Sequence, residues 1–301
     1  VSTLPRHVAI REVALRDGLQ IEAPIPLSAK LELLAAIAAT GVREVEVTSF
    51  VSPTKVPALA DAAELAAELW RYPGLEFSAL VASPGGAARA VAAGLKSIEY
   101  VVCASDEFST ANVGRPTAQA VAATTDIAGI AHDAGASVEV IIATAWDCPF
   151  EGPTDPGRVT DIAASARAFG VDRLAIADTI GTATPRRVTD LIAAVQPLIG
   201  DIPLGAHFHN TRGSGLASAY AAVQAGITRL DASAGGLGGC PFAPGATGNI
   251  ATEDLVYLLG DCGIDTGIDL DAAITAAGVA STVVGHGLPS ALLAAGDRKR
   301  D

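Results

Sequence analysis

A chain of 301 residues with a formal charge of −13, 50% hydrophobic residues and only 4% aromatics has room for a large core of Ala, Val, Leu and Ile, as two average domains or one α/β barrel. Its acidic field repels phosphate backbones, and the only basic run is Arg298-Lys299-Arg300, which excludes nucleic acid as a partner. No apolar run reaches the roughly 18 residues of a membrane span, residues 1–7 lack the basic-then-apolar order of a signal peptide, and Cys103, Cys148, Cys240 and Cys262 have neither CxxC nor zinc spacing, so the expectation is a soluble, cytoplasmic protein with free thiols and no membrane partner.

Eight β-branched runs follow in order, at 7–16, 42–49, 76–81, 97–103, 137–145, 173–177, 203–209 and 229–234. Between them lie Ala-rich helix candidates at 28–39, 57–69, 117–134, 156–169, 185–199 and 214–225, with another at 252–260. Near-continuous apolar strands alternating with helices predict a parallel sheet covered by helices, and eight such units predict closure into a (β/α)8 TIM barrel. Gly41, Gly94, Gly135, Gly170 and Gly226 each stand just before a strand, where a left-handed cap ends the preceding helix. With no Pro/Ser-rich linker, 1–301 reads as one barrel domain with a Gly-rich loop at 235–249 and a helical extension over about 252–295.

Active sites of such barrels form at the C-terminal ends of the strands, and only some strands end in polar residues. Strand one ends in Arg16-Asp17-Gly18, strand two carries Glu44 and Glu46, and strand seven ends in His207-Phe208-His209-Asn210. One intervening residue puts both imidazoles on the same face of a strand, roughly 6 to 7 Å apart at the backbone, which is ligand spacing. In a closed barrel strand eight separates strands seven and one, so Asp17 and Asn249 can share the sector that the histidines face. Two imidazoles, a carboxylate and an amide oxygen leave about two positions open on an octahedral ion, favouring Mg2+ or Mn2+ while leaving Zn2+, Co2+ and Fe2+ chemically accessible. Arg16 and Asp17 are consecutive, so both reach the site only if the strand twists out at Gly18. Glu46 then lies within reach of Arg16, and a buried carboxylate needs such a cation. The 235–249 loop has no Gly-Lys-Ser/Thr and is not a nucleotide motif; Cys240 on it is placed to deliver a proton or complete a closed site.

The chain resembles the hydroxymethylglutaryl-CoA lyase family. The resemblance rests on Arg16-Asp17-Gly18-Leu19-Gln20, residues 46–53, Cys148-Pro149-Phe150-Glu151-Gly152, Asp178-Thr179-Ile180-Gly181, His207-x-His209, and 235–249 continuing to Tyr257. It implies Asp17, His207, His209 and Asn249 as metal ligands. It implies Arg16, Asp17, Glu46, His207 and Cys240 in catalysis, and Ser49, Asn112 and Asp178 at the substrate, where Gln20, Thr179 and Arg212 are expected to join them. The implied reaction is a divalent-metal-dependent retro-Claisen cleavage of 3-hydroxy-3-methylglutaryl-CoA, an acyl-CoA thioester, to acetyl-CoA and acetoacetate, with a place in leucine catabolism and a homodimeric assembly. Asn210, Arg212, Glu139 and Ser83 depart from the family pattern; Glu139 stands where the family has arginine, and with Arg212 it is expected to retune substrate choice. Citramalyl-CoA or a larger 3-hydroxy-3-substituted glutaryl-CoA is the alternative substrate. A Claisen-type synthase and a non-catalytic metal-binding scaffold are the remaining readings.

Overall fold

The structure is a computed structural model that describes residues 4–239 and 248–298. Strands Ala9–Glu12, Glu44–Ser49, Glu76–Val81, Ser97–Cys103, Ser137–Ala143, Arg173–Asp178, Leu204–Phe208 and Arg229–Ala232 pair in parallel, each with its sequence neighbours, and the last closes on the first. The expected (β/α)8 barrel is therefore the observed one. The five glycines ahead of strands all have positive φ, from 65° at Gly135 to 98° at Gly226, as a left-handed helix end requires. Helices Pro84–Ala92, Pro156–Ala168 and Pro185–Ile199 start with proline in their first turn, where the missing N–H has no helical partner to lose. Among the described residues no helix is long and apolar enough to cross a membrane.

Differences from the expected elements are local. Strand one stops at Glu12, and Ala14–Gly18 forms a π-helical turn closed by Gly18 N donating to Val13 O at 3.1 Å. The segment expected as a helix over 57–69 is α-helical only over Ala62–Ala66, with single 3-10 turns at Pro57–Leu59 and Leu69–Arg71. Its buried stripe of Ala58, Leu59, Ala62, Leu65 and Ala66 persists through these changes. Helices Pro84–Ala92 and Asp106–Val113 and a short hairpin, Asp147–Cys148 with Gly152–Pro153, add to the expected set. The extension consists of Thr252–Asp261, Leu270–Val284 and Ala291–Ala295.

The barrel interior is stratified. Val101, Ile141, Ala175 and Gly205 lie in register across strands four to seven and form an apolar layer under the C-terminal mouth. Two residues earlier on the same strands, Glu99, Glu139 and Arg173 are in register. Arg11 occupies the centre of this charged layer. Its Nε and Nη2 donate to Asp231 at 2.9 and 2.8 Å, and its Nη1 lies 2.5 Å from Glu139 and 2.7 Å from Glu99. Arg229 reaches Glu139 with two bonds of 2.9 and 2.5 Å, running past Gly205, where a Cβ would stand 3.2 Å from Arg229 Nη1. The charges are paired because an unpaired buried ion carries a penalty of several kcal/mol. Glu139 thus sits beneath the apolar layer, and the expectation that it retunes the acyl pocket gives way to a role in this ion cluster.

Candidate active site

The π turn solves the problem posed by two consecutive polar residues. A strand would send Arg16 and Asp17 to opposite faces; the turn presents both to the barrel mouth, where Arg16 Nη1 donates to Asp17 Oδ1 at 2.6 Å and Gln20 Nε2 to the same oxygen at 2.7 Å. Gly18 permits close passage of the neighbouring chain, since a Cβ there would meet Leu237 at 3.1 Å and Ser233 Oγ at 3.3 Å. Arg16 Nε lies 2.5 Å from Glu46 Oε1, and Glu46 is fully buried. Burial pushes the Glu46 carboxyl well above its ordinary range, against the opposing pull of Arg16 and with the help of Glu99.

His207 belongs to strand seven, and His209 follows its end in a bridge to Asn249. Their rings face the same side, with centroids 5.0 Å apart. Asp17 Oδ2 lies 3.4 Å from His209 Nε2 and 3.9 Å from His207 Nε2, and accepts from Asn249 Nδ2 at 2.9 Å. Burial alone would raise the Asp17 carboxyl, but Arg16, with the hydrogen bond from His209, outweighs it and holds Asp17 well below the usual carboxylate range.

Ligand atoms of Asp17, His207 and His209 all lie within 4.8 Å of one another. An octahedral ion with bonds of about 2.1 Å separates adjacent donors by about 3.0 Å and opposite donors by about 4.2 Å, so a divalent ion fits with small side-chain movements. The Asn249 amide abuts the cluster through Nδ2, 2.9 Å from Asp17 Oδ2, while its Oδ1 is buried without a hydrogen-bond partner; with the amide turned over, that oxygen becomes a cation donor. The donor set suits a divalent metal.

A cavity of about 1730 Å³ opens over the cluster, lined by Arg16, Asp17, Gln20, Ser49, Asn112, Thr179, His207 and His209, with Val101, Ile141, Ala143 and Ala177 among its apolar residues and Lys55, Arg89 and Arg115 as further cations. Of the residues expected at the substrate, Gln20, Ser49, Asn112 and Thr179 are therefore on the wall. Asp178 does not line it; its carboxylate accepts from the Thr182 and Ala183 backbone N–H groups at 2.9 Å each and shapes the loop after strand six. Arg212 is exposed and donates to Ile180 O at 2.6 Å, tying two loops together. Ser83 lines the wall while accepting from Gly86 N at 3.2 Å as a helix cap, and Asn210 accepts from Gly215 N at 3.0 Å. Cys240 lies outside the described residues.

Three residues that the sequence reading passed over support the site. Asp231 takes His207 Nδ1 at 3.1 Å, and Arg11 holds Asp231. Glu12 accepts from Ala14 N at 2.9 Å, from Ala234 N at 3.0 Å and from Thr252 Oγ1 at 2.6 Å, joining the π turn to both flanks of the Gly-rich loop. The signal of Arg11 and Asp231 in the sequence is a charge at an inward-facing position of an apolar strand; Glu12, the next residue after Arg11, points to the opposite face.

A closed (β/α)8 barrel with a buried two-imidazole, one-carboxylate cluster beside an arginine at its C-terminal mouth defines a metal-site barrel enzyme. The family model described as HMGL-like matches residues 7–279, and the chain belongs to that family. It is 38% identical to the mitochondrial hydroxymethylglutaryl-CoA lyase of Bos taurus, with 92% of this chain and 85% of the relative covered. It is 40% identical to the (R)-citramalyl-CoA lyase of Chloroflexus aurantiacus, covering 96% of this chain and 95% of the relative. Among solved structures, an HMG-CoA lyase from Acinetobacter baumannii in complex with coenzyme A and 3-methylmalate superimposes with a TM-score of 0.92 at 38% identity, covering 97% of this chain and 95% of that one.

Proposed function

We propose that the chain is a divalent-metal-dependent carbon–carbon lyase that cleaves 3-hydroxy-3-methylglutaryl-CoA to acetyl-CoA and acetoacetate. The observation that carries this reading is Arg16, clamped between Glu46 and Asp17, beside the Asp17–His207–His209 cluster at the base of the cavity. In a chain of formal charge −13, Lys55, Arg89 and Arg115 supply the local positive charge that a CoA-sized anion needs.

In this reading Asp17, His207, His209 and the side-chain oxygen of Asn249 hold the ion. Mg2+ or Mn2+ suits a set without thiolate among the described residues. A bound divalent ion supplies Lewis acidity toward the C3 hydroxyl and the free carboxylate. The hydroxyl proton passes to the Asp17 carboxylate at the ion site. The hydroxyl's electron pair becomes the ketone C=O as the C2–C3 bond breaks, and that bond's electrons form the thioester enolate. Arg16, fixed in direction by Glu46, neutralises the enolate oxygen, a contact worth on the order of 3 kcal/mol. Protonation of the enolate carbon by Cys240 completes acetyl-CoA. Gln20, Ser49, Asn112 and Thr179 contact the substrate, with Asp178 and Arg212 ordering the loops around it.

A second reading, (R)-citramalyl-CoA, is favoured by the relative at 40% identity over nearly the whole of both chains. That substrate carries its carboxylate on the carbinol carbon itself, so the same bond cleavage gives acetyl-CoA and a 2-oxo acid. Purified protein assayed with Mg2+ or Mn2+ against both thioesters separates the readings. A higher kcat/KM on hydroxymethylglutaryl-CoA supports the first and a higher value on citramalyl-CoA the second; acetyl-CoA release from neither refutes both.

A further inference from the structure

His207 is joined to the charged layer beneath it by a chain of side chains. His207 Nδ1 lies 3.1 Å from Asp231 Oδ2, and the two residues are register partners on adjacent strands, as are Asp231 and Arg11. Arg11 grips both carboxylate oxygens of Asp231, Nε on Oδ1 at 2.9 Å and Nη2 on Oδ2 at 2.8 Å. Arg11 is itself anchored through Nη1 to Glu139 at 2.5 Å, and Glu139 is held by Arg229. Arg11, Asp231 and Glu139 are each at most 4% exposed, so water does not compete for these contacts.

A carboxylate held by both arms of a guanidinium is an acceptor only. The hydrogen at the 3.1 Å contact therefore belongs to His207 Nδ1. In a neutral ring this leaves Nε2 bare, and Nε2 is the nitrogen 3.9 Å from Asp17 Oδ2. The other imidazole has no such support, because His209 Nδ1 has no hydrogen-bond partner.

We propose that Asp231, braced by Arg11 and through it by Glu139 and Arg229, is a positioning residue that holds His207 in the Nδ1–H tautomer, with its Nε2 lone pair directed at the ion site. The inference deepens the proposed function by assigning the support of one ligand, and it rests on that reading only for the identity of the site. It also gives a place to the departure at Glu139, whose negative charge fixes the Arg11 arm that faces away from Asp231. Loss of such an outer partner typically lowers metal affinity 10- to 100-fold.

Two measurements test it without any turnover. The first is the 15N spectrum of the five histidines in metal-free wild-type protein near pH 8, assigned with single His→Gln variants. The expected result is that the neutral His207 ring, reached by raising the pH until one proton remains, keeps that proton on Nδ1; a neutral ring with its proton on Nε2 overturns the proposal. The second is calorimetric titration with Mn2+ of wild type and Asp231→Asn, a change that keeps the side chain's size and removes its charge. A loss of at least tenfold in affinity with unchanged circular dichroism is expected, and wild-type affinity in the variant overturns the proposal. Should Asp231→Asn fail to fold, the wild-type spectrum decides alone. Because neither readout involves a thioester, a wrong tautomer and a wrong substrate are distinguishable failures.

Discussion

Glu139→Gln separates the structural role of the charged layer from any role in choosing substrate. Burial opposes ionisation of Glu139, but Arg11 and Arg229 outweigh it and hold its carboxyl below the ordinary range, so the side chain is an anion at neutral pH. Glutamine removes a charge shared by two guanidiniums that are 2% and 8% exposed and turns an NH2 group toward one of them. Removing one partner of a buried ion pair costs about 3–5 kcal/mol. Arg11 keeps Asp231 and Glu99, and Arg229 keeps Glu44 at 3.3 Å, which places the expected loss at the lower end, about 3 kcal/mol. With about 2.1 cal/mol/K of unfolding entropy per residue, a chain of 301 residues loses roughly 1.6 °C of Tm per kcal/mol, so Tm falls by roughly 5 °C. Thermal unfolding followed by circular dichroism, with urea midpoints as a check, reads the loss. The ratio of kcat/KM for hydroxymethylglutaryl-CoA over citramalyl-CoA stays within about twofold, because Glu139 lies below the Val101–Ile141–Ala175 layer. An unchanged Tm with a shifted ratio would refute this placement.

Three further perturbations address the site. Arg16→Met lowers kcat by about 100-fold or more, the equivalent of about 3 kcal/mol of lost enolate stabilisation, and a kcat within threefold of wild type removes Arg16 from the chemistry. Gly248→Ala introduces a Cβ 2.2 Å from Gly238 O and 2.7 Å from Gly236 O at a φ of +73°; the backbone must shift beside Asn249, and Mn2+ affinity measured by calorimetry falls at least tenfold, whereas unchanged binding excludes Asn249 from the ion site. Burial pushes the Glu12 carboxyl up to about 7, against bonds from Thr252, Ala14 and Ala234. A carboxyl with a folded pKa above its unfolded value binds more protons in the folded state between those values, so ionisation weakens the fold, fully above about pH 7 and not at all below about 4.5, by about 3 kcal/mol. Wild-type stability from urea unfolding therefore gains a Glu12 contribution as pH falls from 8 to 5.5, and Glu12→Gln lacks it; parallel pH profiles of the two proteins would contradict the assignment.

The eight strands are legible because parallel strands buried on both faces read as continuous β-branched runs, and helix ends are marked by Pro156 and Pro185 at their starts and glycines at their ends. His207-x-His209 is legible because the period of two places both rings on one face. The π turn is not, since five residues that break the strand's alternation carry no periodic signal; Arg16-Asp17-Gly18 shows only that the strand cannot continue regularly. Glu99, Glu139, Arg229 and Asp231 are hidden for another reason. Charge in a short strand reads as a solvated face, and it is the pairing of strands far apart in sequence, Arg11 with Asp231 and Glu139, that turns these positions into a neutralised interior.

Carbon–carbon cleavage at the Arg16 and Asp17–His207–His209 site requires a divalent ion. The direct measurement is acetyl-CoA formed from hydroxymethylglutaryl-CoA by chelator-treated protein, before and after addition of Mg2+ or Mn2+. The expected result is negligible release without the ion, and with it one acetyl-CoA and one acetoacetate for each thioester consumed. Equal release with and without the ion, or consumption of the thioester without acetoacetate, would contradict it.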